Sequence, residues 1–273
     1  METIIRLSQK AYAICIIAVG IQQLAYGNIN SNFLPAAFSS GIVYKLFAYP
    51  WGIAFTLSGI AYLINKKAFE ISLISGGIFL AFFLFAYAPY LIFFDPNGNQ
   101  LLTWAPAVED LAFTGSSFIL AASFSAGDKH PSGLTSFLEK FIPFGGIFFS
   151  VMLIVYGIDH FVYSEFVSAM VPSWISKPYF WTYFAGVALI GAGLAIIFKI
   201  KLRIVGSLLG IMIFLWLIIL HIPRAIADPL VEGGLELTRV FIAIGFTGIS
   251  FLLAFNWSES SAEFNISSSG PRS

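Results

Sequence analysis

The chain matches itself at an offset of about 134 to 137 residues, and both copies are too apolar for anything but a membrane. In the first copy Gly20-Ile21-Gln22-Gln23-Leu24 precedes Pro35, then Tyr49, Gly52 and Gly59, then Tyr87-Ala88-Pro89. In the second, Gly157-Ile158-Asp159-His160-Phe161 precedes Pro172, then Tyr183, Gly186 and Gly193, then His221-Ile222-Pro223. A repeat of this length constrains architecture before any local reading does. It predicts a four-helix membrane unit used twice. It also supplies an internal control, because charge present in only one copy is not demanded by the scaffold.

Composition agrees. With 58% hydrophobic and 10% charged residues the chain lies far from soluble domains, where charge runs near a quarter. The net charge of zero gives no field that attracts nucleic acid. The single Cys15 forms no intramolecular disulfide and belongs to no CxxC pair. Arg6 and Lys10 ahead of Ala11–Tyr26 imitate a secretory signal. That segment aligns with the mid-chain stretch Phe144–Phe161 and has no small-x-small cleavage pattern, so it is expected to be the first span.

About 20 apolar residues cross the hydrocarbon core. Runs that meet this fall at roughly 9–27, 44–65, 68–93, 105–126, 141–162, 179–199, 203–226 and 237–256. They are continuously apolar rather than alternating, which predicts helices and not barrel strands. The fold class is thus all-α integral membrane, with eight transmembrane helices as two parallel four-helix repeats. Ten basic residues (Arg6, Lys10, Lys66, Lys67, Lys129, Lys140, Lys199, Lys201, Arg203 and Arg272) then share one side, against Lys45, Lys177, Arg224 and Arg239 on the other. The positive-inside rule places both termini in the cytoplasm.

The first repeat covers 1–126 and the second 141–256. Between them 127–140 reads as a cytoplasmic linker holding His130, Pro131 and Gly133, and the Ser-rich tail 257–273 reads as disordered. The outer connections Asn28–Ile42 and Tyr163–Pro178 mix apolar and polar residues around a proline. With Trp174, Tyr179, Trp181 and Tyr183 nearby, they are expected to lie at headgroup level. Small residues such as Gly52, Gly59, Gly186, Gly193, Gly206 and Gly210 are expected to be helix-packing faces.

Charge near the outer edge of the second repeat needs its own account. Asp159 and His160 close the fifth run about 28 Å of helix beyond Lys140, and His221 lies about 27 Å beyond Arg203. Arg224 is one turn further on, Arg239 opens the eighth run, and Glu236 lies one turn before it. Asp159, His160, His221, Arg224, Glu236 and Arg239 are therefore expected at one level. The first repeat has Gln22, Gln23, Tyr87 and Tyr90 at the matching positions, and keeps Glu109 and Asp110 in its fourth run. Ionisable groups this close to lipid usually face a cavity or a partner, and histidine exchanges protons near neutrality. Two structural readings stand beside a site: arginines snorkelling to water, or ion pairs such as Asp159–Arg224 and Glu109–Arg239 that pin helices. No HxxxH or ExxH accompanies the histidines, so no metal is expected. Phosphate-binding, nucleophile-elbow and dinucleotide motifs are missing as well.

The stretch Tyr156-Gly157-Ile158-Asp159-His160-Phe161, with Val171-Pro172-Ser173-Trp174, Phe180-Trp181-Thr182-Tyr183-Phe184-Ala185-Gly186 and His221-Ile222-Pro223-Arg224, resembles the DoxX-like family. The first half resembles it more weakly, lacking the histidine and the Pro-Trp pair. The resemblance implies tandem four-helix membrane units. It also implies an accessory or subunit role in a quinone-linked membrane redox system, with a redox partner subunit. His160 and His221 would then carry protons, while Arg224 or Arg239 would hold an anion. A small-solute transporter and a non-enzymatic scaffold remain the alternatives. The parallel repeat and the scarcity of helix breakers disfavour transport.

Overall fold

The computed structural model describes residues 1–27, 35, 42–124, 133–230 and 234–257. His130, Glu232, the expected disordered tail from 258 and most of the first outer connection lie outside these residues. Eight long helices occur among the described residues. They are α1 (Glu2–Tyr26), α2 (Ile42–Leu63), α3 (Ala68–Phe93), α4 (Ala105–Ser123), α5 (Gly145–Val162), α6 (Pro178–Ile197), α7 (Leu202–Ala227) and α8 (Leu235–Leu252). Short helices at Leu134–Glu139 and Ser164–Ser168 precede α5 and follow it. Six stretches are long and apolar enough to cross a membrane: α1, α3, Leu134–Val162 with α5, α6, α7, and Leu235–Asn256 with α8. The chain is therefore an all-helical protein of membrane character. Helix α4 falls outside that set because Glu109, Asp110, Thr114, Ser116 and Ser117 dilute its apolarity. It compensates by being enclosed: its residues from Ala107 to Ala121 are all buried.

The repeat is carried into the backbone. Helix α3 widens into a π-helical turn at Phe83–Tyr87, and α7 does the same at Leu217–His221, 134 residues later. The cause is local: Pro89 and Pro223 lack an N–H, and their rings crowd the carbonyls of Phe85 and Ile219. Each helix absorbs the clash by one wide turn and then continues. The tight turns ahead of α3 and α7 match too, with Asn65 and Lys67 in the left-handed region as are Lys199 and Lys201.

Glycines fix the crossings in both halves. A Cβ at Gly20 would lie 2.6 Å from the Thr56 nitrogen and 2.7 Å from the Gly52 oxygen. One at Gly157 would lie 2.6 Å from Ile190 and 2.9 Å from the Gly186 oxygen. So α1 crosses α2 as α5 crosses α6, backbone against backbone, as small residues permit in lipid.

Between the halves the packing is exchanged. Helix α1 packs extensively on α8 and hardly at all on α4, whereas α5 packs on α4. Gly248 meets Ser8 and Ala11 of α1, and Gly115 meets Gly145, Phe148 and Phe149 around the start of α5. The repeat boundaries in the chain are thus not the boundaries of packing. At the centre Phe113 of α4 and Phe246 of α8 stand 5.3 Å apart, flanked by Phe79 at 5.4 Å and Phe149 at 5.4 Å. Neighbouring helices alternate in direction. Gln9 reaches Ser123 and Asn256 reaches Ala122 at one end, while Gln22 reaches Gly234 at the other.

Candidate functional site

All six charged candidates lie at the end of the bundle where α1, α5 and α7 finish and α4 and α8 begin. Glu236 is the hub. It sits in the first turn of α8, where the helix dipole favours an anion, and is 5% exposed. Its Oε1 accepts hydrogen bonds from Arg224 at 2.8 Å and from Arg239 at 2.7 Å. Its Oε2 is buried without a partner among the described residues. Arg224 reaches it from the last turn of α7, just after Pro223. Arg239 reaches it one turn along its own helix.

His221, the last residue of the wide turn, lies within electrostatic reach of Arg224, Glu236 and Arg239, and its Nδ1 is buried without a partner among the described residues. Two guanidiniums share one carboxylate, so the Arg224–Glu236–Arg239 group by itself carries one net positive charge. Because the Arg224 and Arg239 side chains keep 40% and 37% exposure, both guanidiniums retain N–H groups facing outward. Acceptor and donor atoms thus stand together at a bundle end.

Two expectations are corrected here. His160 is not part of the cluster: its Nδ1 lies 2.7 Å from the Tyr156 carbonyl and its ring stacks on Trp216 at 6.2 Å. On a helix neighbouring residues point about 100° apart, so Asp159 and His160 cannot both face one partner. Asp159 in turn makes no ion pair with Arg224, because Arg224 is taken by Glu236. The exchange explains it: α5 delivers its end to α4, not to α8. Asp159 is 6% exposed, with Oδ1 unpartnered, and lies within electrostatic reach of Tyr156.

Tyr156, Gln22 and Thr238 also belong to this level, and no motif announced them. The Tyr156 hydroxyl donates to Glu109 Oε2 at 2.8 Å and stands within electrostatic reach of Arg239. Gln22 donates to the Gly234 carbonyl at 2.7 Å and accepts from the Thr238 hydroxyl at 2.8 Å, holding the start of α8. A signal for Gln22 was available, since it aligns with Asp159. Tyr156 offered none, because Val19 occupies its place in the first copy.

Glu236→Gln is expected to cost about 2 kcal/mol of stability, since it leaves two guanidiniums sharing a neutral acceptor. Arg224→Gln should cost less than about 1 kcal/mol, as its partly exposed side chain is screened and Arg239 remains. Thermal unfolding of the single and double variants reads this, and additive effects would show that the pair is not coupled.

A family model described as Domain of unknown function (DUF8561) matches residues 149–242, a stretch that contains all six candidates. No curated protein and no solved structure matches the chain.

Proposed function

We propose that the chain is an eight-span, DoxX-like protein of a bacterial cytoplasmic membrane that serves a membrane redox system as a quinone-contacting subunit or accessory. Support for the span count and for cytoplasmic termini comes from the alternating helix directions. They gather Arg6, Lys10, Lys66, Lys67, Lys140, Lys199, Lys201 and Arg203 at the end opposite the charged site. The family match carries no functional description, so the redox reading rests on the DoxX-like motifs and on the chemistry of the site.

One observation carries it. Glu236 Oε2 and His221 Nδ1 are buried and, among the described residues, unpartnered in the same cluster, beside two arginines whose side chains are partly exposed. A quinone head has carbonyl oxygens that accept from such donors, and a quinol has hydroxyls that donate to such an acceptor. When bound, the head group supplies the electron transfer. The protein's share is to orient it and to hold protons at Glu236 and His221, with Arg224 and Arg239 balancing the charge. The residues present fit that group at the edge of the apolar belt, where an isoprenoid tail would lie in lipid.

The test is mass spectrometry of gently purified protein for co-purifying quinone. The wild-type chain is expected to carry it, Arg224→Ala and His221→Ala to lose at least about tenfold, and His160→Ala to retain it. Absence from the wild type, together with no thermal stabilisation by added short-chain quinone, would reject the reading. A scaffold role would then stand, favoured by the way Glu236 ties α7 to α8.

A further inference from the structure

The first half holds a buried acid that the charged site does not use. Asp110 on α4 is 0% exposed, and neither of its oxygens has a partner among the described residues. Gln23 on α1 is 2% exposed, and neither of its amide atoms has a partner among the described residues. Polar atoms left unpaired in a water-free interior are costly, and a carboxyl most of all.

Helical phase puts both groups on the sides through which α1 and α4 touch, a narrow contact. The Tyr12 hydroxyl on α1 meets the Ser117 hydroxyl on α4 at 3.1 Å. Asp110 lies seven residues before Ser117, two turns along the same face of α4. Gln23 lies eleven residues after Tyr12 on the same face of α1, with buried Ile16 and Val19 between. The helices run antiparallel, so from the Tyr12–Ser117 contact the climb is about 16 Å to Gln23 and about 10 Å to Asp110. The carboxyl and the carboxamide therefore sit about 6 Å apart in height. The neighbouring Glu109 accepts from Tyr156 of α5 and also lies within electrostatic reach of Asp110 and of Cys15 on α1.

We propose that Asp110 and Gln23 form an interior site for one monovalent cation, either a proton on the Asp110 carboxyl or a sodium ion held between Asp110 and the Gln23 carbonyl oxygen. One carboxylate balances a single positive charge, and the amide oxygen is the kind of hard ligand such an ion takes. An ionisable residue inside a membrane bundle with no fixed partner is by default a functional group. The matching positions in the second half are Ala243 and His160, so the site belongs to the first half alone and shares no residue with the Glu236 cluster.

The purified full chain in lipid nanodiscs tests this against Asp110→Asn and Gln23→Leu. Infrared spectra read the Asp110 carboxyl as the band missing from Asp110→Asn. The pH is raised first in choline chloride, then in sodium chloride at equal ionic strength. A proton site gives a protonated-acid band that bleaches as pH rises and ignores sodium. A sodium site gives a band that sodium bleaches at constant pH, with a rise in melting temperature that Asp110→Asn lacks. Gln23→Leu is expected to move the half-point for the ion concerned by about tenfold, and it carries the test should Asp110→Asn not fold. An Asp110 signal unmoved by both ions, or a half-point that Gln23→Leu leaves in place, overturns the proposal.

Discussion

Gly115→Val and Gly248→Val are each expected to abolish recovery of folded, monodisperse protein. An added Cβ at Gly115 would stand 2.6 Å from the Phe149 nitrogen and also overlap the Gly145 carbonyl oxygen. At Gly248 it would stand 2.6 Å from the Ser8 oxygen. In both cases the obstacle is backbone, which cannot rotate away as a side-chain tip can. The helices must separate, giving up close contact along α4–α5 or α1–α8. Overpacking a core usually costs about 1–3 kcal/mol, and a backbone clash belongs at or above the top of that range. Against a total stability of about 5–15 kcal/mol, the loss is a large fraction. Gly191→Val is the control, because a Cβ there meets nothing within 4 Å. Size-exclusion profiles and thermal unfolding decide the matter. Wild-type behaviour of Gly115→Val and Gly248→Val would mean that the exchanged contacts do not form in the membrane.

The second large effect concerns the exchange itself. If the chain is cut between Gly127 and Pro131, the two fragments are expected to assemble when expressed together and to fail when expressed alone. The first fragment needs α8 to cover α1, and the second needs α4 to cover α5. The central aromatic group is likewise shared, with Phe79 and Phe113 from one fragment and Phe149 and Phe246 from the other. A tag on either fragment should retrieve the other in equal amount. Cutting the tether adds an association cost of roughly 4–15 kcal/mol in solution, so the complex should melt below the intact chain. A stable monomer of the second fragment, with unchanged helix content, would show that each repeat closes on itself.

The charged site divides along similar lines. That Arg224, Glu236 and Arg239 would meet was legible, because a helix end, a one-turn spacing and a helix start place them at one height. Their actual pairing was not. Asp159 and Glu236 are both carboxylates at the right height, and only the neighbour of α5 decides which one Arg224 finds. His160 was misplaced for the same reason: helical phase relates it to Asp159, but only the position of Trp216 on α7 shows which side of α5 it serves. Gln22 and Tyr156 act through contacts more than 45 residues away along the chain, which no local pattern encodes.

Helix number, helix direction and the twofold repetition follow from the order of residues, because apolar run length and proline placement act within a few turns. The π-helical turns before Pro89 and Pro223 are the clearest case, since the proline that causes each one follows directly in the same helix. Partner choice between the halves was settled only by the folded molecule. Gly115 and Gly248 hold equivalent places in the two repeats, yet Gly115 meets the start of α5 and Gly248 meets α1. Small residues license close approach without specifying who approaches, and the summed fit of many side chains across α1–α8 and α4–α5 makes that selection.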